Sequence, residues 1–261
     1  MGVVNATPTR FVALGDSLTE GIGDDAWPDG TPRGWADRFA DLLAQRGSTE
    51  YANIAVRGMT SRRILNQQLD AALAANPHVV AISAGMNDIL RAKVDFEEIS
   101  DNLATMVTRL TAGGARVVVI PIPRVERVTR IAWLVASRRR HLNELIAELA
   151  ANPGVVETPD TTGSVFEDPR AWASDRLHLS PLGHHRLALA VASSFGVADD
   201  VSGWNAPVPG LARRRRLGDD ARWWAGEAIP WIGRRLSGRS SGDARTAKRP
   251  DLTLVDSPPP G

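Results

Sequence analysis

Ser17 stands in the run Gly15-Asp16-Ser17-Leu18, and His178 closes Asp175-Arg176-Leu177-His178 late in the chain. A serine hydroxyl is a poor nucleophile until a base takes its proton, and that base is usually a histidine oriented by a carboxylate. Ser17, His178 and Asp175 fit those three roles. Asp175 precedes His178 by three residues, close enough in a tight turn to hold the imidazole in one tautomer. Acyl transfer also needs donors aimed at the developing oxyanion, each worth about 2.7–4 kcal/mol of barrier. The N–H of Ser17, the N–H of Gly58 and the side-chain amide of Asn87 in Gly85-Met86-Asn87-Asp88 are the candidates. Gly58 suits the role because a residue without Cβ lets backbone approach a substrate.

Each residue also has a plainer reading. Ser17 could cap a helix, and Asn87 could stabilise a turn. Asp16 and Asp88 are read as supports: Asp16 organises the loop around Ser17 or sits in a helix's first turn, and Asp88 bonds local backbone. His78, His141, His184 and His185 have no acid three positions before them and read as surface or packing residues. Asp24, Asp25 and Asp29 lack the alternating ligands and closing Glu of a calcium hand. The chain has no cysteine, which removes disulfides and thiolate chemistry. No metal or cofactor is expected.

The elements that must position these residues follow from period and punctuation. Residues 10–14, 51–55, 78–84, 116–120 and 155–158 are short apolar runs of the kind found in buried parallel strands. Helical patterns lie between and after them at 35–46, 61–75, 96–110, 131–150 and 181–195. Asp95 with Glu98 reads as a capping box, and Ser180-Pro181 as an N-cap followed by proline at the first helical position. The alternation predicts a five-stranded parallel sheet covered on both faces, with ligands at the carboxyl ends of the strands. Ser17, Gly58 and Asn87 follow the first three strands, and His178 precedes the last helix, so all four belong to one edge. The stretch from Pro121-Ile122-Pro123-Arg124 to Trp133 follows the fourth strand there, either bordering a pocket or as a rigid loop.

In this order the four blocks resemble the SGNH hydrolases, also called GDSL esterases and lipases, over about residues 10–195. The resemblance implies an α/β fold, the flavodoxin-like three-layer α/β/α sandwich, and metal-independent hydrolysis of esters or thioesters. It further implies Ser17 as nucleophile, His178 as base, Asp175 as its orienter, and Ser17, Gly58 and Asn87 as oxyanion hole. Arg57 departs from the small or neutral neighbour usual beside that glycine, which suggests an altered charge preference for substrate. Short-chain esters, sugar O-acetyl groups, lysophospholipids and thioesters all remain open as substrates. A non-catalytic docking protein with an esterase-like fold is the alternative, and the intact set of Ser17, Asn87, Asp175 and His178 favours the enzyme.

Composition bounds the rest. The 261 residues carry a net charge of +1, with 43% hydrophobic and 23% charged residues, as ordinary globular proteins do. Residues 1–200 hold 20 basic and 24 acidic side chains, net −4, whereas 201–261 hold 11 and 6, net +5. The expected organisation is a hydrolase domain over 1–200, an amphipathic Trp/Arg-rich extension over 201–238 and a disordered tail over 239–261. Residues 204–210 read as a linker. Three readings compete for the extension: a strap packed on the sandwich, a membrane-surface contact through 213–236, and nucleic-acid binding through Arg213–Arg216. The near-neutral chain and the lack of a reader motif argue against nucleic acid. No apolar core of a secretory signal precedes Phe11, so the expected location is cytoplasmic, peripheral to a membrane if the extension docks there. Oligomeric state is not legible.

Overall fold

The computed structural model describes residues 7–126, 128, 130–197, 202–210, 242 and 245–256. Four parallel strands form the body of the sheet: β1 (Thr9–Gly15), β2 (Thr49–Asn53), β3 (Val79–Ser83) and β4 (Arg116–Val119). A fifth, β5 (Arg249–Leu254), completes the order β4-β3-β1-β2-β5. Successive side chains of a strand point to opposite faces, so each strand feeds two cores. Val12, Leu14, Val80 and Ile82 pack against α3 (Ser61–Ala74), α5 (Phe96–Ala112) and α6 (Ala136–Glu148). Phe11, Ala13, Val79 and Ala81 pack against α2 (Gly34–Ala44) and α7 (Pro181–Phe195). This is the expected three-layer α/β/α arrangement. Two short helices, α1 (Ser17–Glu20) and α4 (Met86–Ile89), follow β1 and β3 at their carboxyl ends.

The helix signals operate as local chemistry predicts. Asp95 accepts the Glu98 N–H at 3.0 Å, and Ser180 accepts that of Gly183 at 3.3 Å with Pro181 next to it. The pattern over 131–150 resolves into a 3-10 turn at Arg130–Val135, α6, and a second turn at Leu149–Ala151.

The fifth strand differs from expectation. Val155 makes only an isolated bridge to Val117, framed by Val117 N–H to Gly154 O and Val156 N–H to Val117 O. The chain then leaves the sheet before Pro159, which has no N–H to continue a ladder. The actual fifth strand comes from the stretch expected to be a disordered tail, and it runs antiparallel to β2. The sheet is therefore mixed rather than wholly parallel. Pro250 is tolerated because β5 is an edge strand. The 204–210 linker is also seated on the body: Asn205 Oδ1 accepts the Val165 N–H at 2.9 Å, and Arg170 donates to the carbonyls of Val208, Pro209 and Gly210. Arg213–Arg216 and the amphipathic pattern over 213–236 lie outside the described residues. No helix among the described residues is long and apolar enough to cross a membrane.

Candidate active site

β1 ends at Gly15, whose φ of +146° and closeness to β3 leave no room for a side chain. A Cβ there would lie 2.4 Å from Ser83 Oγ and 2.6 Å from Ser83 O. Gln68, buried on α3, grips the same residue from both sides: its Oε1 accepts the Gly15 N–H at 2.8 Å and its Nε2 donates to Gly15 O at 2.9 Å. Asp16 then caps α1, accepting the Leu18 N–H at 3.1 Å. Ser17 thus opens a one-turn helix at the carboxyl edge of the sheet.

His178 reaches Ser17 through a narrow loop. Trp172 bridges Leu179, Ala173 N–H donates to His178 O, and Ser180 N–H donates to Ala171 O, so 171–180 folds back on itself. Asp175 Oδ1 accepts the N–H groups of Leu177 and His178 at 2.9 and 3.0 Å. That turn forces Arg176 to φ +56°, one of two non-glycine residues with positive φ among those described. Gly23 lets the end of the α1 turn pass beneath, since a Cβ would lie 2.3 Å from Leu179 O. The outcome is a continuous line: Asp175 Oδ2 to His178 Nδ1 at 2.6 Å, and His178 Nε2 to Ser17 Oγ at 3.1 Å. Burial opposes ionisation of Asp175, but the hydrogen bond and charge of His178, with the two N–H donors, outweigh it and hold the carboxyl below its usual range. The carboxylate stays ionised throughout the range in which imidazole titrates.

Asn87 sits on α4 and is buried beside Asp16. Its Nδ2 donates to Asp16 Oδ2 at 2.9 Å and to the Met59 carbonyl at 2.8 Å. Asp88 caps α3 from outside, accepting Ser61 N–H and Oγ–H at 2.9 Å each. Burial pushes its carboxyl above the usual value against those two bonds. Gly58, at φ +78°, lies in the turn between Arg57 and Met59, next to the carbonyl that Asn87 holds. Arg57, expected to bias substrate charge, is paired instead with the buried Glu20, which takes its N–H at 2.6 Å and its guanidinium Nε at 2.9 Å. Its charge holds the turn in place. His184 is wholly buried, and Asp24 is taken up by Arg38 and the Gly34 N–H.

Ser17, Asn87 and His178 open into a cleft of about 340 Å³ with walls that include Met86, Leu90, Ile122, Val125, Leu134 and Trp172. Its surface is predominantly apolar, as small-molecule sites tend to be. Ile122, Pro123, Val125, Ala132, Leu134 and Val135 form one wall, so the bordering-pocket reading holds for these residues of the stretch. Trp133, on its other side, faces a separate cavity of about 620 Å³ with Arg139 and Arg140. Gln68, Glu20 and Ser83 had no signal in the sequence. None of them stands in a motif, and only burial marks each one.

A family model described as "GDSL-like Lipase/Acylhydrolase family" matches residues 13–186. Among solved structures, the chain is similar to an alpha/beta hydrolase enzyme from the metagenome of Lake Arreo, Spain, at TM-score 0.60 and 21% identity, covering 74% of this chain and 97% of that one. It is similar to the lipase/acylhydrolase from Enterococcus faecalis at TM-score 0.57 and 22% identity, covering 72% and 95%. For an acetylxylan esterase from Geobacillus stearothermophilus the values are 0.56 and 19%, covering 74% and 97%. These likenesses establish the fold. No curated protein matches the chain. The family match spans most of the sequence and runs from the strand that delivers Ser17 into the helix that follows His178, and the chain belongs to the GDSL-like lipase/acylhydrolase family of ester hydrolases.

Proposed function

We propose that the protein is a serine esterase that hydrolyses carboxylic esters with an apolar acyl chain, through an acyl-enzyme on Ser17. The observation that carries this reading is the hydrogen-bonded line from Asp175 through His178 to Ser17 Oγ, 2.6 and 3.1 Å long, at the floor of an apolar cleft. As Ser17 Oγ bonds to the carbonyl carbon, its proton passes to His178 Nε2, and the imidazolium is stabilised by Asp175 at Nδ1. The oxyanion takes hydrogen bonds from the N–H of Ser17, the N–H of Gly58 and the Asn87 amide. Asn87 contributes by trading its bond to Asp16 or to Met59 O for the developing charge. Collapse breaks the ester C–O bond, and His178 returns its proton to the leaving alkoxide. Water then attacks the acyl-enzyme with His178 again as base, releasing the acid and restoring Ser17.

Each methylene buried along the cleft is worth about 0.8 kcal/mol, so kcat/KM should rise about fourfold per CH₂ until the walls are filled. The test is the hydrolysis of p-nitrophenyl esters from acetate to palmitate by the parent and by Ser17→Ala. The parent should turn over the series with an optimum beyond acetate, and the variant should be silent while keeping its far-UV circular dichroism. Turnover by Ser17→Ala equal to the parent overturns the assignment.

A further inference from the structure

We infer that Gly242 and residues 245–256 form a strap that fixes the orientation of the Arg57–Gly58 peptide, with Gly242 as a positioning residue for oxyanion stabilisation. The role given to the Gly58 N–H rests on the serine-esterase reading above. The family match ends at residue 186, so the strap belongs to this chain's own extension.

The strap is fastened at several points. β5 pairs with β2, and the Val255 N–H donates to Thr49 O at 2.9 Å. Lys248, almost fully buried, places its ammonium 2.9 Å from Asp37 Oδ1 and donates to the carbonyls of Pro32 and Arg33 at 2.7 and 2.5 Å. Upstream of these anchors, Gly242 is buried directly against the Arg57 carbonyl: a Cβ at 242 would lie 2.0 Å from Arg57 O and 3.1 Å from Val56 Cγ1.

That carbonyl and the Gly58 N–H belong to one peptide. A trans peptide is planar and points its C=O and N–H in opposite directions, so whatever holds Arg57 O on one side aims the Gly58 N–H to the other. Gly58, at φ +78°, is the residue type that lets this peptide rotate at low cost. Glu20 fixes Arg57 from its own N–H and guanidinium, and Asn87 holds Met59 O two peptides further along. Neither contacts the Arg57 carbonyl. Gly242 does, and only a residue without Cβ fits that close.

The test compares the parent, Gly242→Ala and Lys248→Met. The added methyl pushes on the Arg57 carbonyl, and the second change releases the anchor without touching the turn, which keeps the test open if Gly242→Ala does not fold. For p-nitrophenyl butyrate, Gly242→Ala should lower kcat about tenfold or more, with KM within twofold of the parent. Complete loss of one oxyanion donor costs about 10²–10³. The inhibition constant of a trifluoromethyl ketone, which forms a tetrahedral adduct on Ser17, should rise by the same factor as kcat falls. Lys248→Met should move both quantities in the same direction. The ¹⁵N–¹H shift of the Gly58 amide, read in each variant, should change as well. A folded Gly242→Ala with parental kcat and an unmoved Gly58 amide overturns the strap. Turnover surviving in Ser17→Ala overturns the esterase reading instead, and the amide shift reports on the strap independently of it.

Discussion

Asp175 uses both carboxylate oxygens, one on its own backbone turn and one on His178, so a single side chain shapes the loop and orients the base. Asp175→Asn keeps the size and part of the turn but removes the charge that stabilises the imidazolium. It should lower kcat by up to about 10⁴ with little change in KM, measured on any ester the parent accepts. A loss under tenfold would mean that another group orients the ring. The acid three residues before a histidine was legible in the sequence because their interaction is local. Gln68 was not, because its task of clamping Gly15 N and O depends on α3 crossing behind β1, 53 residues away in the chain. The behaviour of Asn87 was hidden for the same reason. Its acceptors, Asp16 and Met59 O, come from two other loops.

At the scale of elements, α2 and α7 meet across a neutral histidine. His184 Nδ1 accepts the Trp35 N–H and its Nε2 lies 3.1 Å from Ile22 O, so the ring carries its single proton on Nε2. Burial pushes its pKa from 6.5 down to about 4. The folded value lies below the unfolded one, so the stability from this group is complete above about pH 6.5 and is lost as pH falls toward 4, at about 1.4 kcal/mol per unit. Urea midpoints at pH 7 and 4.5 should show that slope, and a His184→Gln variant should lack its share of it. β1 to β4 were legible as apolar runs, and the start of α7 was legible to the residue, because its cap and first-turn proline are local signals. β5 was not. Arg249–Leu254 contains proline and aspartate, its side chains are largely exposed, and it is a strand only because β2 offers it an open edge.

For the whole molecule, the described parts of the extension, 202–210 and 245–256, are part of the folded body rather than an attachment to it. Among the described residues, Lys248→Met leaves the buried Asp37 with only Trp27 and Tyr51 as side-chain donors and should cost about 3 kcal/mol in denaturant unfolding, the scale for breaking a buried ion pair. A cost near zero would place that pair effectively in solvent. The pairing of Tyr51 with Thr253 also joins residues about 200 positions apart. A ribosome adding about 5–20 residues per second needs on the order of 10–40 s to make the intervening chain. Throughout that time β2 presents its backbone donors and acceptors to whatever is nearby, including other nascent copies. Yield from a cell should therefore depend on how quickly translation reaches the codons for Arg249–Leu254.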